Sequence, residues 1–251
     1  MSMASFRCAF LFSLSLACCL LAGTARAEAP ALRVAVLEES PPLGYRDANG
    51  NLTGFATTIA RALCTEIGAR CEFEATRLDS LIDRVAAGYF DIAAIGLLNT
   101  PERSRKVVFT KPVYRSVTLW VARPGIQPGD VAARVSIFRG SAHETYARAQ
   151  RWQVIGAQNE VQMIEQLAAG VAQAAIVPLM TSLSLRRHPL FQQLGLSASV
   201  LQQPELAGNA SFAINPQRAE LKEVLDVALE NIKRNGTYDR INTEFLPFRV
   251  E

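Results

Sequence analysis

The side chains of this sequence that could do chemistry are scattered, and none of them forms a familiar catalytic or metal-binding set. Only two histidines occur, His143 and His188, and they lie far apart in the chain. A zinc site needs a cluster of ligands, so two isolated histidines predict no metal. Glu38, Glu39 and Glu144 could act as acids or bases, but no nucleophile–base pair or glycine-rich phosphate loop accompanies them. We therefore expect neither a cofactor nor nucleotide chemistry.

Cys64 and Cys71 are the cysteines best placed for a covalent role. Apolar residues at helical spacing precede Gly68, which predicts a helix that ends there, and Cys71 opens the next strand. A chain that reverses direction between the two cysteines can bring their Cα atoms within about 6 Å, which suits a disulfide. Two cysteines in an exported chain favour one such bridge.

The N-terminal segment 1–27 has the layout of a secretory signal peptide. Arg7 is followed by an apolar stretch over 8–22, and small residues flank the final arginine of the segment, as the cleavage rule requires. A transmembrane anchor needs about 20 apolar residues, so export is favoured. Lipid attachment at Cys18 or Cys19 is a minor alternative, because the branched apolar residue usual before such a cysteine is missing.

The remaining chain has the composition of a globular protein with one large domain or two lobes. The whole sequence has 251 residues, 49% of them apolar, and no apolar run of 18 residues occurs beyond the leader. Lys and Arg number 26 and Asp and Glu 23, and loss of Arg7 and Arg26 with the leader leaves 24 cations against 23 acids. A chain so close to neutral lacks the basic surface that nucleic acids require, and we expect no membrane insertion of the mature chain.

The hydrophobic pattern predicts an α/β fold in two successive parts. In the first part, strands and helices alternate in the order β-α-β-α-β over residues 32–36, 55–67, 71–75, 78–85 and 90–95. A Pro- and Gly-rich run at 124–129 precedes a second alternation, over residues 134–138, 141 onwards, 154, 161–169 and 174–177. The chain then returns through a strand at 210–214 and amphipathic helices beyond Leu221, which we expect to pack on the first part.

Several segments, taken in order, resemble the signatures of family 3 periplasmic solute-binding proteins, which serve the importers of polar amino acids. They are LRVAV at 32–36, NLTGF at 51–55, DIAAIG at 91–96, TPER at 100–103, FTKPVY at 109–114 and NGTYD at 235–239. The resemblance extends from about residue 32 to residue 245. Cys64 and Cys71 also match the disulfide of the lysine/arginine/ornithine and histidine binders of this family.

The resemblance implies an α/β, two-lobe periplasmic binding protein fold of type II, in which each lobe is a mostly parallel sheet flanked by helices. Two crossover hinge strands join the lobes. We expect lobe 1 to comprise 28–121 and 207–251, and lobe 2 to comprise 122–206. The family implies a periplasmic protein that holds a small-molecule ligand in its cleft and delivers it to an ABC transporter permease. We expect this protein to be a monomer.

The resemblance also assigns the ligand site. In the family, the Arg of a Thr-x-x-Arg motif grips the ligand carboxylate; here that residue is Arg103, whose planar fork suits paired hydrogen bonds to a carboxylate. Ser141 and Ala142 lie where the second lobe presents N–H groups from a helix start, which favours anions, and His143 follows them. Gly96 stands in the binding segment of the first lobe.

Three features depart from the family pattern. Pro178 stands where many amino acid binders have an Asp that pairs with the ligand ammonium, and Leu98 stands where a hydroxyl residue is usual. The usual aromatic is missing near the Pro-Pro turn that follows Ser40, and Tyr45 could substitute for it. An ammonium buried without a partner is unfavourable, so we expect a carboxylate solute with an apolar or neutral body, unless one of the two glutamates before the turn supplies the missing charge.

We predict a binding protein rather than an enzyme, and two alternatives stay open. Periplasmic cyclohexadienyl dehydratases use the same scaffold and need an acid or base in the cleft, where His143 is the only predicted histidine. A sensory or accessory protein that has lost ordinary solute binding would explain the apolar residues at polar positions of the site.

Overall fold

The structure is a computed structural model that describes residues 31–250, and the predicted signal peptide lies outside these residues. The strands are β1 Leu32–Val36, β2 Glu39–Ser40, β3 Gly44–Arg46, β4 Leu52–Thr53, β5 Cys71–Ala75, β6 Ile92–Leu98, β7 Val108–Phe109, β8 Tyr114–Ser116, β9 Thr118–Ala122, β10 Arg134–Phe138, β11 Gln153–Ala157, β12 Ala174–Pro178, β13 Ser197–Val200 and β14 Gly208–Ile214. The α-helices are α1 Phe55–Glu66, α2 Leu78–Ala86, α3 Pro101–Ser104, α4 Ala142–Ala149, α5 Glu160–Ala168, α6 Leu179–Leu185, α7 Pro189–Gln193, α8 Leu221–Arg234 and α9 Thr237–Phe245. Short 3-10 turns lie at Pro204–Leu206 and Pro216–Arg218.

The first sheet has the strand order β5-β1-β6-β14-β7, and β8 also pairs with β14. β1 runs parallel to β5 and β6, whereas β14 runs antiparallel to its neighbours. Helices cover both faces: α1, α8 and α9 build one core with Val34 and Val36, and α2 builds the other with Ala35. Because both faces are buried, β6 is a continuous apolar run.

The second sheet has the strand order β11-β10-β12-β9-β13. β10 runs parallel to β11 and β12, and β9 runs antiparallel to β12 and β13. α5 contributes Met163 and Leu167 to the core on one face. On the other face Trp152 packs edge-on against Trp120 and Tyr146, with ring centroids 5.6 and 5.9 Å apart. Trp120 is therefore a core residue of the second lobe, and the partly buried Trp152 packs against that core.

The chain crosses between the two sheets twice. Val117 alone separates β8 in the first sheet from β9 in the second. The return crossing follows Leu206, a member of the second core, and precedes β14 in the first sheet. The predicted lobe boundary at 121/122 falls inside β9, whose five residues are all buried. The Pro- and Gly-rich run 124–129 follows β9 and is a turn of the second lobe.

The C-terminal helices pack on the first sheet. Tyr238 of α9 lies edge-on to Phe55 of α1, with ring centroids 5.9 Å apart, and its hydroxyl donates to the carbonyl of Val113 at 2.7 Å. α8 adds Leu225 and Leu229 to the same core. At 14 residues α8 is the longest helix within residues 31–250, and no helix of that range is long and apolar enough to cross a bilayer.

The hydrophobic pattern does not predict α6, α7 or β13. β13 lies at the edge of its sheet and all four of its residues are exposed, so this short strand has no buried apolar face. α6 and α7 have only seven and five residues, too few to display a helical period. Hydrophobic periodicity does not reveal elements that are this short or this exposed.

The predicted disulfide is confirmed. Cys64, in the last turn of α1, bonds to Cys71 at the start of β5, and their Cα atoms are 6.3 Å apart. Gly68 reverses the chain between them with a φ of 63°, a conformation that glycine adopts without steric strain.

Replacing both bridged cysteines (Cys64→Ser with Cys71→Ser) is expected to lower the free energy of unfolding by about 2 kcal/mol, because the bond restricts the unfolded chain. The loop is short, with a sequence separation of 7, which keeps the effect modest. Urea unfolding of the oxidised protein and the double variant measures the difference. Ligand affinity should hardly change, because Cys71 lies at the amino end of β5, away from the carboxyl ends of the strands. A stability difference below about 0.5 kcal/mol would contradict the prediction.

Candidate functional site

A cavity of about 140 Å³ lies between the two lobes. β1 and β6 lead into it from the first lobe, and β10, β11 and β12 lead into it from the second. Ligand sites of open α/β sheets form at the carboxyl ends of parallel strands, where loops and helix N-termini meet. Eight of the predicted site residues line this cavity: Ser40, Gly96, Leu98, Arg103, Ser141, Ala142, His143 and Pro178.

Arg103 projects from the short helix α3 and is only 8% exposed. The helix begins at Pro101, and the Thr100 hydroxyl caps it by accepting from the N–H of Arg103 at 3.3 Å. The guanidinium spans the cleft: Nη1 donates to the carbonyl of Leu98 at 3.1 Å, and Nη2 donates to the carbonyl of Gly140, in the second lobe, at 2.9 Å. Arg103 therefore belongs to the contact between the lobes.

The charge of Arg103 has no close counter-ion. Its guanidinium makes hydrogen bonds only to carbonyls within residues 31–250. Burial lowers the pKa of Arg103 to about 10, with the charge of Glu102 opposing the shift. The guanidinium has five N–H donors, of which two are used, so three remain for another acceptor. A buried cation arranged in this way suits an anionic ligand.

The start of α4 offers N–H groups to the same cavity. The Ser141 hydroxyl caps the helix by accepting from the N–H of Glu144 at 3.1 Å, and the Glu144 carboxylate accepts from the N–H of Gly140 at 2.8 Å. The first N–H groups of a helix have no acceptor within it, so those of Ala142 and His143 remain available. These donors and the helix dipole favour an anion at this end of the cavity.

His143 is buried in the cavity wall, at 5% exposure. Its Nε2 lies 2.8 Å from the hydroxyl oxygen of Thr118, and that hydroxyl donates to the carbonyl of Leu206. Burial lowers the pKa of His143 to about 4, and the charge of Arg103 adds to the shift. The imidazole is therefore uncharged at neutral pH.

Tyr114 also lines the cavity, and its ring explains the glycine at position 96. A Cβ atom at Gly96 would lie 2.6 Å from the Tyr114 ring, and Gly96 has a φ of 72°. Both the close approach and the left-handed backbone require glycine. The Tyr114 hydroxyl donates to the carbonyl of Gly96 at 3.3 Å, and burial raises the pKa of Tyr114, so the phenol stays neutral.

Tyr45, predicted to replace a missing aromatic, is not among the residues that line the cavity. It lies in β3, opposite Glu39 and Thr53, within the small sheet β2-β3-β4. The pairing of that sheet fixes its position. Tyr114 and Phe138 bring aromatic rings to the cavity wall instead.

The carboxylates of the cavity wall are engaged by other residues. Pro178 ends β12, so no carboxylate stands at that position. Glu38 accepts from Nε of Arg46 at 2.7 Å, and Glu39 accepts from the side-chain amide of Asn159 at 2.6 Å. The second of these bonds joins the two lobes. A ligand ammonium would have to compete with these partners for Glu38 or Glu39.

The lobes are closed over the cavity and approach each other closely at Gly140. A Cβ atom there would lie 2.4 Å from Cα of Asp79 and 2.9 Å from the carbonyl oxygen of Leu78, both at the start of α2 in the first lobe. The bond from Arg103 reaches the same glycine. The absence of a side chain at position 140 therefore permits this closed arrangement.

A further lobe contact passes through Glu160, the first residue of α5. The Ser184 hydroxyl lies 2.9 Å from the carbonyl of Pro41 in the first lobe and 2.9 Å from that of Thr181, and it also contacts Oε2 of Glu160. Burial raises the pKa of Glu160 to about 8, and its Oε1 has no partner within residues 31–250. A hydroxyl has one proton, so Ser184 can donate to only one of these three acceptors at a time.

Glu160→Gln is expected to leave stability nearly unchanged at pH 5 and to raise the free energy of unfolding by about 1–3 kcal/mol at pH 9. The folded-state pKa of Glu160 lies above its ordinary value of 4.5, so its contribution is fully present below pH 4.5 and is lost as pH rises through about 8. Urea unfolding at both pH values measures the difference. Glu165→Gln, exposed on the same helix, is the matched control, and a pH-independent effect of Glu160→Gln would contradict the assignment.

A wider groove of about 850 Å³ opens on the other side of Arg103. It shares Leu78, Leu98, Arg103 and Ala142 with the cavity. Asp83, one of the acidic residues that line this groove, forms an ion pair with Lys106 at 2.8 Å. The strand ends and the first residues of α4 converge on the smaller cavity.

Thr118, Asn159 and Tyr114 contribute to the site without having been identified from the sequence. Asn159 had a local signal: its side chain caps α5 by accepting from the N–H of Gln162 at 2.9 Å, and Asn-x-x-Gln is a capping pattern. Thr118 had none, because its bond to His143 joins residues 25 positions apart.

Comparison with known sequences points to one family. The profile of the bacterial extracellular solute-binding proteins, family 3, matches residues 32–248. The chain is 28% identical over 218 residues to ABC transporter arginine-binding protein 1 of Escherichia coli (strain K12), which covers 82% of this chain and 87% of that protein. It is 25% identical over 220 residues to the lysine/arginine/ornithine-binding periplasmic protein of the same organism, covering 83% of this chain and 85% of that protein.

Comparison with solved structures also finds amino acid-binding proteins. An ancestral arginine-binding protein bound to arginine matches with a TM-score of 0.75 at 25% identity, covering 86% of this chain and 97% of that chain. An ancestral arginine-binding protein bound to glutamine matches with a TM-score of 0.75 and the same coverage. The predicted α/β fold with two lobes is confirmed.

Proposed function

The chain belongs to family 3 of the bacterial extracellular solute-binding proteins, and from this premise we propose that it captures a small carboxylate-bearing solute in the periplasm and presents it to the permease of an ABC importer. The relatives named above are amino acid binders. The observation that carries the proposal is Arg103, a buried cation without an ion pair within residues 31–250, in the wall of a cavity that α4 also lines.

In the proposed complex the ligand carboxylate lies between Arg103 and the start of α4. The guanidinium donates paired, charge-assisted hydrogen bonds to the carboxylate, and the N–H groups of Ala142 and His143 donate further hydrogen bonds to it. These donors come from different lobes, so the ligand favours the closed arrangement over an open one. The permease then distinguishes the closed, loaded protein from the empty one.

The ligand body is proposed to be apolar or neutral. Many amino acid binders hold the ligand ammonium on an Asp where this chain has Pro178, and Leu98 replaces a usual hydroxyl. Bringing a ligand ammonium beside Arg103 without a protein carboxylate to pair with it is unfavourable by several kcal/mol. The site therefore favours organic acids over the cationic amino acids bound by the relatives.

Calorimetric titration with a panel of amino acids and simple organic acids tests both the capture of a carboxylate and the proposed class of ligand. Arginine, histidine, lysine and glutamine represent the zwitterions, and acids of matched carbon skeleton represent the second class. Saturable binding of a carboxylate supports the proposed function. Tight binding of a zwitterionic amino acid would contradict the proposed ligand class only, whereas binding of neither class would contradict solute capture.

Enzymatic activity on this scaffold is less well supported than solute binding. His143 has a pKa lowered to about 4, which makes it a poor proton acceptor near neutral pH. Incubation with prephenate or arogenate, the substrates expected for a dehydratase, should therefore give no product. Formation of product that depends on His143 would replace the proposal with an enzymatic one.

A sensory or accessory role is the second candidate, and Leu98 and Pro178 at polar positions of the cavity favour it. A thermal shift screen separates it from solute capture. A ligand at 100 times its dissociation constant adds about 2.7 kcal/mol of stability. A shift with an organic acid supports solute capture, and a flat response to every small molecule would favour the accessory role.

A further inference from the structure

We propose that Nδ1 of His143 is the acceptor that selects the ligand, and that the ligand class is 2-hydroxycarboxylates. This inference rests on the proposed function, because it takes from it a carboxylate held by Arg103 and the start of α4. It adds the second recognition contact and a chemical class that an amino acid site would not favour.

The hydrogen bonds around His143 define its tautomer. The Thr118 hydroxyl has one proton, and it donates that proton to the carbonyl of Leu206. At Nε2 of His143, 2.8 Å away, the Thr118 oxygen must therefore accept, so Nε2 carries the ring proton. In a neutral imidazole the other nitrogen is then an acceptor. Burial lowers the pKa of His143 to about 4, which keeps the ring in this neutral form.

Nδ1 is the atom of the ring left for a ligand. The bond to Thr118 is the only side-chain hydrogen bond of His143 within residues 31–250. The buried, unpartnered side-chain atoms of that range belong to other residues, so Nδ1 keeps contact with open space, and the residue lines the cavity. The His143 N–H is also one of the proposed anion donors. A group that donates to Nδ1 must therefore lie close to the bound carboxylate, as the 2-hydroxyl of a hydroxy acid does.

Charge decides between a hydroxyl and an ammonium as the donor. His143 is neutral, Glu38 is paired with Arg46, and Glu39 accepts from Asn159. An ammonium would sit beside the Arg103 charge and lose its hydration with only a neutral acceptor in exchange. A hydroxyl carries no charge to desolvate and donates one hydrogen bond to Nδ1. The cavity therefore suits a ligand with one negative charge and a neighbouring hydroxyl.

Isothermal titration with three acids of one carbon skeleton tests the class: L-2-hydroxyisocaproate, isocaproate and L-leucine, with lactate, propionate and L-alanine as a smaller series. We expect the hydroxy acid of the better-fitting series to bind at least about 10-fold tighter than the unsubstituted acid, the worth of one hydrogen bond. We expect it to bind at least about 100-fold tighter than the amino acid, which must desolvate its ammonium.

Two substitutions of His143 separate the contribution of Nδ1 from that of Nε2. The amide of His143→Gln reaches the position of Nε2 and can keep the bond to Thr118, but it removes the Nδ1 acceptor. The amide oxygen of His143→Asn lies near the position of Nδ1 and can still accept. We expect the preference for the hydroxy acid over the unsubstituted acid to fall to about 1 in His143→Gln and to persist in His143→Asn. His188→Gln, at the other histidine and outside the cavity wall, should leave the preference unchanged.

Long-range proton–nitrogen NMR of the ring at pH 7 gives an independent readout. An Nε2-protonated His143 is expected, and an Nδ1-protonated ring would overturn the proposal. So would a hydroxy-acid preference that survives in His143→Gln. Tight binding of L-leucine that is lost in Glu39→Gln would also overturn it, while leaving carboxylate capture by Arg103 intact. Failure of every one of these acids to bind, while another carboxylate of the titration panel binds, would overturn this inference alone. Failure of the whole panel to bind would overturn the proposed function as well.

Discussion

Arg103→Met is expected to lower the affinity for every carboxylate that binds the wild-type protein by at least about 100-fold, the loss of a charge-assisted pair in a buried site. The substitution keeps the length and apolar stem of the side chain and removes the guanidinium. The guanidinium donates to the carbonyls of Leu98 and Gly140, and three of its N–H groups remain for a carboxylate. Isothermal titration with the acids that bind the wild type measures the loss.

The stability of the same variant separates a binding role from a structural one. Burial lowers the pKa of Arg103 to about 10, which shows that its surroundings disfavour the charge. Removing a buried charge that lacks a counter-ion relieves this penalty. We therefore expect the unliganded variant to unfold with a free energy equal to or above that of the wild type. Urea unfolding without ligand measures it.

Two matched variants complete the design. Arg105→Met removes an exposed arginine one residue after α3 and should leave affinity unchanged. Arg103→Lys keeps the charge without the planar fork, so we expect an intermediate loss of about 10-fold. A ligand affinity that survives in Arg103→Met would remove the basis of the proposed function. A destabilised apo protein with normal affinity would make Arg103 a structural residue.

Gly140→Ala is expected to lower ligand affinity by at least about 100-fold by preventing the lobes from closing. The added Cβ would lie 2.4 Å from Cα of Asp79, and ordinary contacts begin at 3.4 Å, so the lobes would have to separate by about 1 Å. Backbone atoms on both sides offer no flexible side chain that could give way. The separation would also stretch the bond from Arg103 to the carbonyl of Gly140, now 2.9 Å.

Small-angle scattering with saturating ligand measures the closure directly. The wild type should become more compact on binding, and Gly140→Ala should not. Gly129→Ala is the matched control, because Gly129 has a φ of 88°, close to the 74° of Gly140, but nothing within 4 Å of its added Cβ. Both variants carry the strain of a left-handed alanine, about 1 kcal/mol, and only Gly140→Ala blocks the contact. Equal affinities in the two variants would show that the contact at Gly140 does not govern binding.

The sequence itself determined the parts of this protein that depend on local pattern. Apolar periodicity located most strands and helices of both lobes, because burial of a strand or helix face repeats every two or about four residues. Cys64 and Cys71 lie at the two ends of one reversal, so seven positions of sequence were enough to predict their bond. Arg103 was identified through a four-residue motif in which Thr100 caps the helix.

Only the tertiary structure decided how the site is completed. Arg103 reaches the carbonyl of Gly140 across 37 positions, and the Thr118 hydroxyl, which sets the tautomer of His143, reaches Leu206 across 88. Tyr114, not Tyr45, supplies the phenol ring of the cavity wall. Such contacts leave no periodic trace, because they arise where the two lobes and separate elements meet. The charge and hydrogen-bonding state of each group is set by that burial, which no short stretch of sequence encodes.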